Sequence, residues 1–164
     1  MDCTLSQSSS LRHRQTSIKK SAEKIKKDFQ ENMPNFLILH WDSKIIKYQQ
    51  SGISNDDRLA VVATIPCDTP RSQFLASPSI PDATGETMKD ALINVLQEWA
   101  IPKERIIGMS WDTTSSNTGV RGGSATLFEE ELGQGILWLA CRHHIGELHV
   151  KHADQEVRGK WKSK

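Results

Sequence analysis

With 164 residues, 37 % of them apolar and 25 % charged, the chain has room for one domain with a modest core, or for a domain and an arm. Its net charge of +1 conceals two basic ends: Arg12, Arg14, Lys19, Lys20, Lys24, Lys26 and Lys27 face Glu23 alone near the start, and Lys151, Arg158, Lys160, Lys162 and Lys164 gather near the finish. Three scattered cysteines, Cys3, Cys67 and Cys141, exclude a disulfide framework, while the absence of a signal-peptide core or an apolar run of membrane length points to a nuclear or cytoplasmic protein with no membrane partner.

Residues 1–15 are polar and rich in serine, a composition that predicts disorder. Thr16 to Asn32 predicts a helix, because Ile18, Ala22, Ile25 and Phe29 recur at helical spacing, and Pro34 ends it. The stripe is narrow and flanked by lysines, so this helix should dock weakly or wait for a partner. Residues 1–33 thus read as a disordered segment and a basic helical arm. Lys19, Lys20, Lys24, Lys26 and Lys27 are its candidate nucleic-acid contacts, with simple solvation as the blander use of the same charge.

Three strands are expected next: Phe36 to Trp41, Lys44 to Tyr48 after a hairpin around Asp42 and Ser43, and Leu59 to Ile65 after the polar turn Ser51 to Asp57. They form an antiparallel meander. Residues 66–83 contain four of the six prolines and predict a loop. A helix then opens at Thr84-Gly-Glu-Thr87, where Thr87 and Asp90 resemble a capping box. Met88, Ala91, Leu92, Val95, Leu96 and Trp99 share one face of it, and Pro102 fixes its end. A strand from Ile106 to Trp111 leads into the polar loop Asp112 to Gly119. Ser124 to Leu132 predicts a helix closed by Gly133, Ile136 to Ala140 a strand, His143 to about Ala153 a helix, and residues 154–164 a basic tail. The order βββαβαβα predicts an α/β mixed sheet over residues 34–153, with helices on both faces.

Two strands end alike, in Trp41-Asp42 and in Trp111-Asp112. Carboxylates at the ends of neighbouring strands can share hard cations such as Mg²⁺ or Mn²⁺, and such ions activate nucleophiles in phosphodiester chemistry. The alternative makes both residues turn caps. The loop Asn117-Thr-Gly119-Val-Arg-Gly122-Gly123-Ser124 fits neither the P-loop spacing nor the dinucleotide fingerprint, so nucleotide binding is the weaker reading and a tight turn beside the rim the stronger. Cys141 and His144, followed by His149 and His152, offer four zinc-type ligands within a short span. A small buried cysteine and a loop histidine is the simpler reading of that pair, and a Cys-His hydrolase lacks an oriented partner for the histidine.

Taken in order, Leu39-His-Trp-Asp42-Ser-Lys, Ser110-Trp-Asp112-Thr-Thr-Ser-Ser-Asn117-Thr-Gly119 and Leu139-Ala-Cys141-Arg-His-His144-Ile-Gly-Glu-Leu148 resemble hAT-like transposases and proteins derived from them. That resemblance spans residues 34–153. It implies the ribonuclease H-like fold of DDE-type transposases, with Asp42 and Asp112 as the first two metal-binding acids, Mg²⁺ or Mn²⁺ as cofactor, DNA as partner, and Cys141 and His144 as the family's Cys-x2-His, here structural. Family members carry a third acid, a glutamate, beyond an inserted helical domain. Glu147, Asp154 and Glu156 follow the last strand, and none matches that position; Cys3 also lacks the companions of a zinc-finger domain. The expectation is a transposase-derived domain, domesticated or truncated, related to metal-dependent DNA cleavage and strand transfer but catalytically incomplete. The alternative is a non-catalytic module that binds nucleic acid or another protein through its basic arm.

Overall fold

Side-chain alternation along the first strand sets the architecture. In the computed structural model, which describes residues 7–47 and 55–161, strand β1 (Leu37–Lys47) buries Leu37, Leu39 and Trp41 on one face and turns Ile38, His40 and Asp42 to the other. Strand β2 (Asn55–Ile65) pairs antiparallel with β1 and buries Leu59, Val61 and Ala63 on the same side. Strand β3 (Arg71–Ala76) adds antiparallel to β2, and the short β4 (Ser79–Ile80) pairs with the start of β2. On its other side β1 is joined in parallel by β5 (Ile106–Trp111), which pairs in parallel with β6 (Leu137–Ala140). The sheet therefore runs β3-β2-β1-β5-β6, antiparallel on one half and parallel on the other. The mixed α/β sheet expected from the sequence is present.

Helices α2 (Gly85–Glu98) and α4 (Ser124–Leu132) close the core over the buried face, through Met88, Ala91, Leu92, Val95 and Leu96 from α2 and Ala125, Phe128 and Leu132 from α4. Burying a side chain the size of the Leu, Val, Met or Phe among them contributes about 1.5–3 kcal/mol, so these helices add substantially to the core. The opposite face opens towards the first turns of helix α5 (Arg142–Trp161), where His144 and Glu147 share a cleft with His40. Helices on both faces is thus an unequal arrangement: one face is a core, the other a cleft. No described helix is long and apolar enough to cross a membrane.

Four expectations are corrected. β1 runs straight through Asp42 and Ser43, where a hairpin was expected. Asp-Ser lacks the residues that favour the left-handed turn conformation of a two-residue hairpin, and both positions pair with β2, at Ala60 and Leu59. Of the polar turn expected at Ser51 to Asp57, residues 51–54 lie outside the described residues, and Asn55 to Asp57 belong to β2. The third antiparallel strand comes from the proline-rich segment expected to be a loop. Pro70 and Pro78 flank β3 without interrupting it, as suits an edge strand, and Trp99 Nε1 donates to Leu75 O across 3.1 Å. The cap of α2 is Thr84, whose Oγ1 accepts from Thr87 N, so Thr87 lies inside the helix. Finally, α1 (Gln7–Glu31) begins within the segment expected to be disordered, and α5 carries helix through Trp161 into the expected tail. Cys3 lies outside the described residues.

Candidate functional site

The two Trp-Asp pairs become one structure through the register of β1 and β5. Leu39 lies beside Met109 and His40 beside Ser110, after a bulge between Leu37 and Ile38 absorbs one extra residue of β5. Continued past the last paired residues, this register leads Trp41 to Trp111, which stack, and Asp42 towards Asp112, and both carboxylates open onto one cleft. Because side chains alternate, the tryptophans enter the core and the aspartates turn to the opposite face. The two indoles stack with centroids 5.4 Å apart and planes 16° apart, and Trp41 also meets Phe128 edge-on at 5.8 Å. The core stack fixes the level at which the carboxylates stand.

Asp112 is held by the loop that follows it. Its Oδ1 accepts from Thr114 N at 3.3 Å, from Thr114 Oγ1 at 2.7 Å and from Asn117 Nδ2, while Oδ2 has no hydrogen-bond partner among the described residues. Asn117, in the short helix α3 (Ser115–Thr118), is 2 % exposed. Its Oδ1 accepts from Trp41 Nε1 at 2.9 Å and from Ser124 Oγ at 2.6 Å. One amide therefore joins β1, the loop after β5 and the first residue of α4. The glycines nearby permit this packing. A Cβ on Gly123 would collide with the carbonyl of Asn117 and the backbone of Gly119. The loop's tight turn beside the rim, expected from the sequence, is what these glycines serve.

Asp42, Asp112, His40, Ser110, Cys141, His144 and Glu147 open onto a cleft of about 470 Å³, floored by Ala60 and Val62. Burial pushes the Asp42 carboxyl above its ordinary value, and the neighbouring charge of Asp112 pushes it further. Lys44, His144 and the Ser43 backbone N–H pull in the other direction and are outweighed. Burial also holds the His40 imidazole below its ordinary value, and its Nε2 is enclosed with no partner among the described residues. His40 is thus a neutral ring on the cleft wall, beneath two carboxylates that repel each other.

The structure brings Cys141 and His144 to this cleft as well. Cys141 N donates to Trp111 O at 2.9 Å, which continues the sheet ladder and sets the start of α5 beside Asp112. His149 and His152 lie exposed further along α5, so the four zinc-type ligands do not converge. Among the described residues no three His, Cys, Asp or Glu side chains are placed to hold one metal ion. The donor set is a carboxylate pair, which suits a hard cation that keeps most of its waters.

Of the lysines on the arm, Lys19, Lys20 and Lys24 are exposed. Lys26 Nζ bonds Glu98 Oε1 at 2.9 Å and lies 5.9 Å from the centre of the Trp99 ring, and Lys27 pairs with Glu31 at 3.7 Å. Sequence reasoning missed the linking role of Asn117 and the presence of His40 and Glu147 at the cleft. Two of these were visible as spacing: His40 stands two before Asp42 in a strand, and Glu147 three after His144 in a helix. No protein-family model matches the chain, and no curated protein matches it in sequence.

Proposed function

We propose that the cleft at Asp42 and Asp112 is a divalent-cation site in a ribonuclease H-like domain related to hAT-like transposases, directed at the phosphodiester backbone of DNA and catalytically incomplete. The observation that carries this reading is the register of β1 and β5, which leads Asp42, midway along β1, and Asp112, just past the end of β5, onto one cleft. The strand order, with three antiparallel strands followed by two parallel ones, agrees with it. So does the three-part motif resemblance.

The residues present fit such an ion. Asp112 is oriented through Oδ1 alone, which leaves Oδ2 for a ligand. Burial first and the neighbouring Asp112 charge second make Asp42 hold its proton more tightly than usual, and an added cation relieves the second of these. Mg²⁺ or Mn²⁺ bound there would stabilise the negative charge that builds on phosphodiester oxygens. The protein's own part is to hold the two carboxylates, to keep Asp112 fixed through Asn117, and to present a neutral His40 behind them. With no third side chain placed to share a metal ion with the pair among the described residues, turnover should be at or near background. A DNA substrate implies residence in the nucleus, or in the cytoplasm before entry.

The test is a supercoiled-plasmid nicking assay run beside a Mn²⁺-binding titration. The expected result is binding that Asp42→Asn weakens by at least tenfold, about 1.4 kcal/mol, with little or no nicking. Robust Mn²⁺-dependent nicking lost in Asp42→Asn would show the site to be complete. No Mn²⁺ binding at all would remove the proposal.

A further inference from the structure

Helix α1 contains a period that its use in the fold does not exhaust. From Leu11 it divides into three sevens: Leu11-Arg-His-Arg-Gln-Thr-Ser17, Ile18-Lys-Lys-Ser-Ala-Glu-Lys24 and Ile25-Lys-Lys-Asp-Phe-Gln-Glu31. Each opens on a large aliphatic residue followed by Arg or Lys, and the fifth places are Gln15, Ala22 and Phe29. On a helix the first and fifth places make one stripe, and Arg12, Lys19 and Lys26 make a row along its edge.

The third seven shows what this pattern does. Phe29 is buried edge-on against Trp99, with centroids 5.4 Å apart, while Lys26 bonds Glu98 at 2.9 Å. Gln30 Nε2 adds a bond to Trp99 O at 3.1 Å. Phe29, flanked by Lys26 and Gln30, thus docks on the acidic, aromatic end of α2, while Ile25 at the head of the same seven stays 47 % exposed. The first two sevens repeat the aliphatic and basic places, with Gln15 and Ala22 where the third has Phe29, and their aliphatic heads are left open among the described residues: Leu11 is 57 % exposed and Ile18 is 59 % exposed.

A second copy of α1 is a poor occupant. Antiparallel pairing would set Arg12, Lys19 and Lys26 against their own copies, and parallel pairing would set Arg14 against Lys19. Both arrangements juxtapose like charges at the positions that decide helix pairing. We propose that the first two sevens of α1 dock an amphipathic helix of a partner protein whose apolar stripe is edged by Glu or Asp side chains. This surface is separate from the carboxylate cleft, and its failure would leave that reading untouched.

The probes are two synthetic three-heptad peptides with the same leucine stripe, one edged by glutamate and one by lysine, titrated by fluorescence anisotropy against the full chain. The glutamate peptide should bind at least about tenfold more tightly than the lysine peptide. The double variant Arg12→Glu/Lys19→Glu should reverse that preference, and Leu11→Ser/Ile18→Ser should lose both peptides. All four side chains are exposed, so thermal melting should not change, which separates lost docking from lost folding. Equal binding of both peptides, binding of neither, or binding unaffected by Leu11→Ser/Ile18→Ser would overturn the proposal. So would a dimer in sedimentation that the serine variant dissolves, which would make a second copy the occupant. A DNA duplex that displaces the glutamate peptide and binds the serine variant undiminished would assign the row to nucleic acid instead.

Discussion

Asn117 is where the core and the candidate site share one side chain, and replacing it tests that link. The direction of its amide is dictated by chemistry: an indole N–H can only donate and a carboxylate can only accept. Oδ1 must therefore face Trp41 and Ser124 while Nδ2 faces Asp112. Asn117→Ala orphans the Trp41 N–H and the Ser124 hydroxyl in the interior. An unpaired buried donor costs about 1–3 kcal/mol. The indole cannot turn away from its stack on Trp111, whereas the hydroxyl can rotate, so the sum should be about 3 kcal/mol, a large share of the total stability expected of a domain. Asn117→Asp keeps an acceptor for Trp41 and Ser124 but sets a second carboxylate against Asp112, so at pH 7 it should also destabilise, and its deficit should shrink as the pH falls and the new carboxyl takes a proton. Urea unfolding followed by tryptophan fluorescence at pH 7 and pH 4.5 measures both variants. A loss under about 0.5 kcal/mol for Asn117→Ala, or a deficit for Asn117→Asp that does not depend on pH, would refute the reasoning.

Three further outcomes follow from the same geometry. Asp42 has its folded pKa raised above the ordinary 3.8, so its charge costs the fold at neutral pH and the cost disappears as the pH falls through the folded value. Like charges on adjacent strands, about 5 Å apart and screened by water, repel by about 1 kcal/mol. Asp42→Asn in chelator should therefore raise the melting temperature by about 2–4 °C in calorimetry, and a lower melting temperature would contradict this. His40 has its folded pKa held below 6.5; its stabilising share is complete above that pH and declines below it, as the unfolded chain takes the proton first. His40→Leu should accordingly flatten the fall in stability between pH 7.5 and 5.5, and a slope equal to that of the parent would show that His40 is not enclosed as described. Gly123→Ala should cost about 2 kcal/mol, because α4 must move away from Asn117 to admit the methyl group. Gly135→Ala, where a Cβ meets open space, is the control, and equal melting temperatures for the two variants would refute the close approach.

What the sequence made legible depended on whether local chemistry decided the outcome. The bounds of β5 and α4 match their expectation at both ends, since apolar period and flanking residues agree there, and Gly133 adopts the left-handed cap at φ 69°. The path of β1 was misread because its apolar run ends at Trp41 while its pairing does not. A strand whose residues are held by pairing with a neighbour continues into polar residues, as β1 does at Asp42 and Ser43. β3 was hidden because an edge strand leaves its outward residues exposed, Phe74 among them at 56 %, and prolines at its ends look like those of a loop. At the site, the repeated Trp-Asp pointed to two residues that open onto one cleft. The link from Trp41 to Asn117 spans 76 positions, and no local pattern encodes a contact at that distance. The presence of Glu147 in the cleft depends likewise on the angle at which α5 leaves β6.

The central claim is that Asp42 and Asp112 form one cation site because β1 and β5 lead them onto one cleft. Electron paramagnetic resonance of free Mn²⁺, titrated with the full chain at pH 7.5, tests it most directly. The account predicts that the free-ion signal falls with a stoichiometry of one ion per chain, and that Asp42→Asn and Asp112→Asn each abolish the effect at the same protein concentration. An unchanged Mn²⁺ signal with the parent chain, or a loss of signal that both variants reproduce, would contradict it.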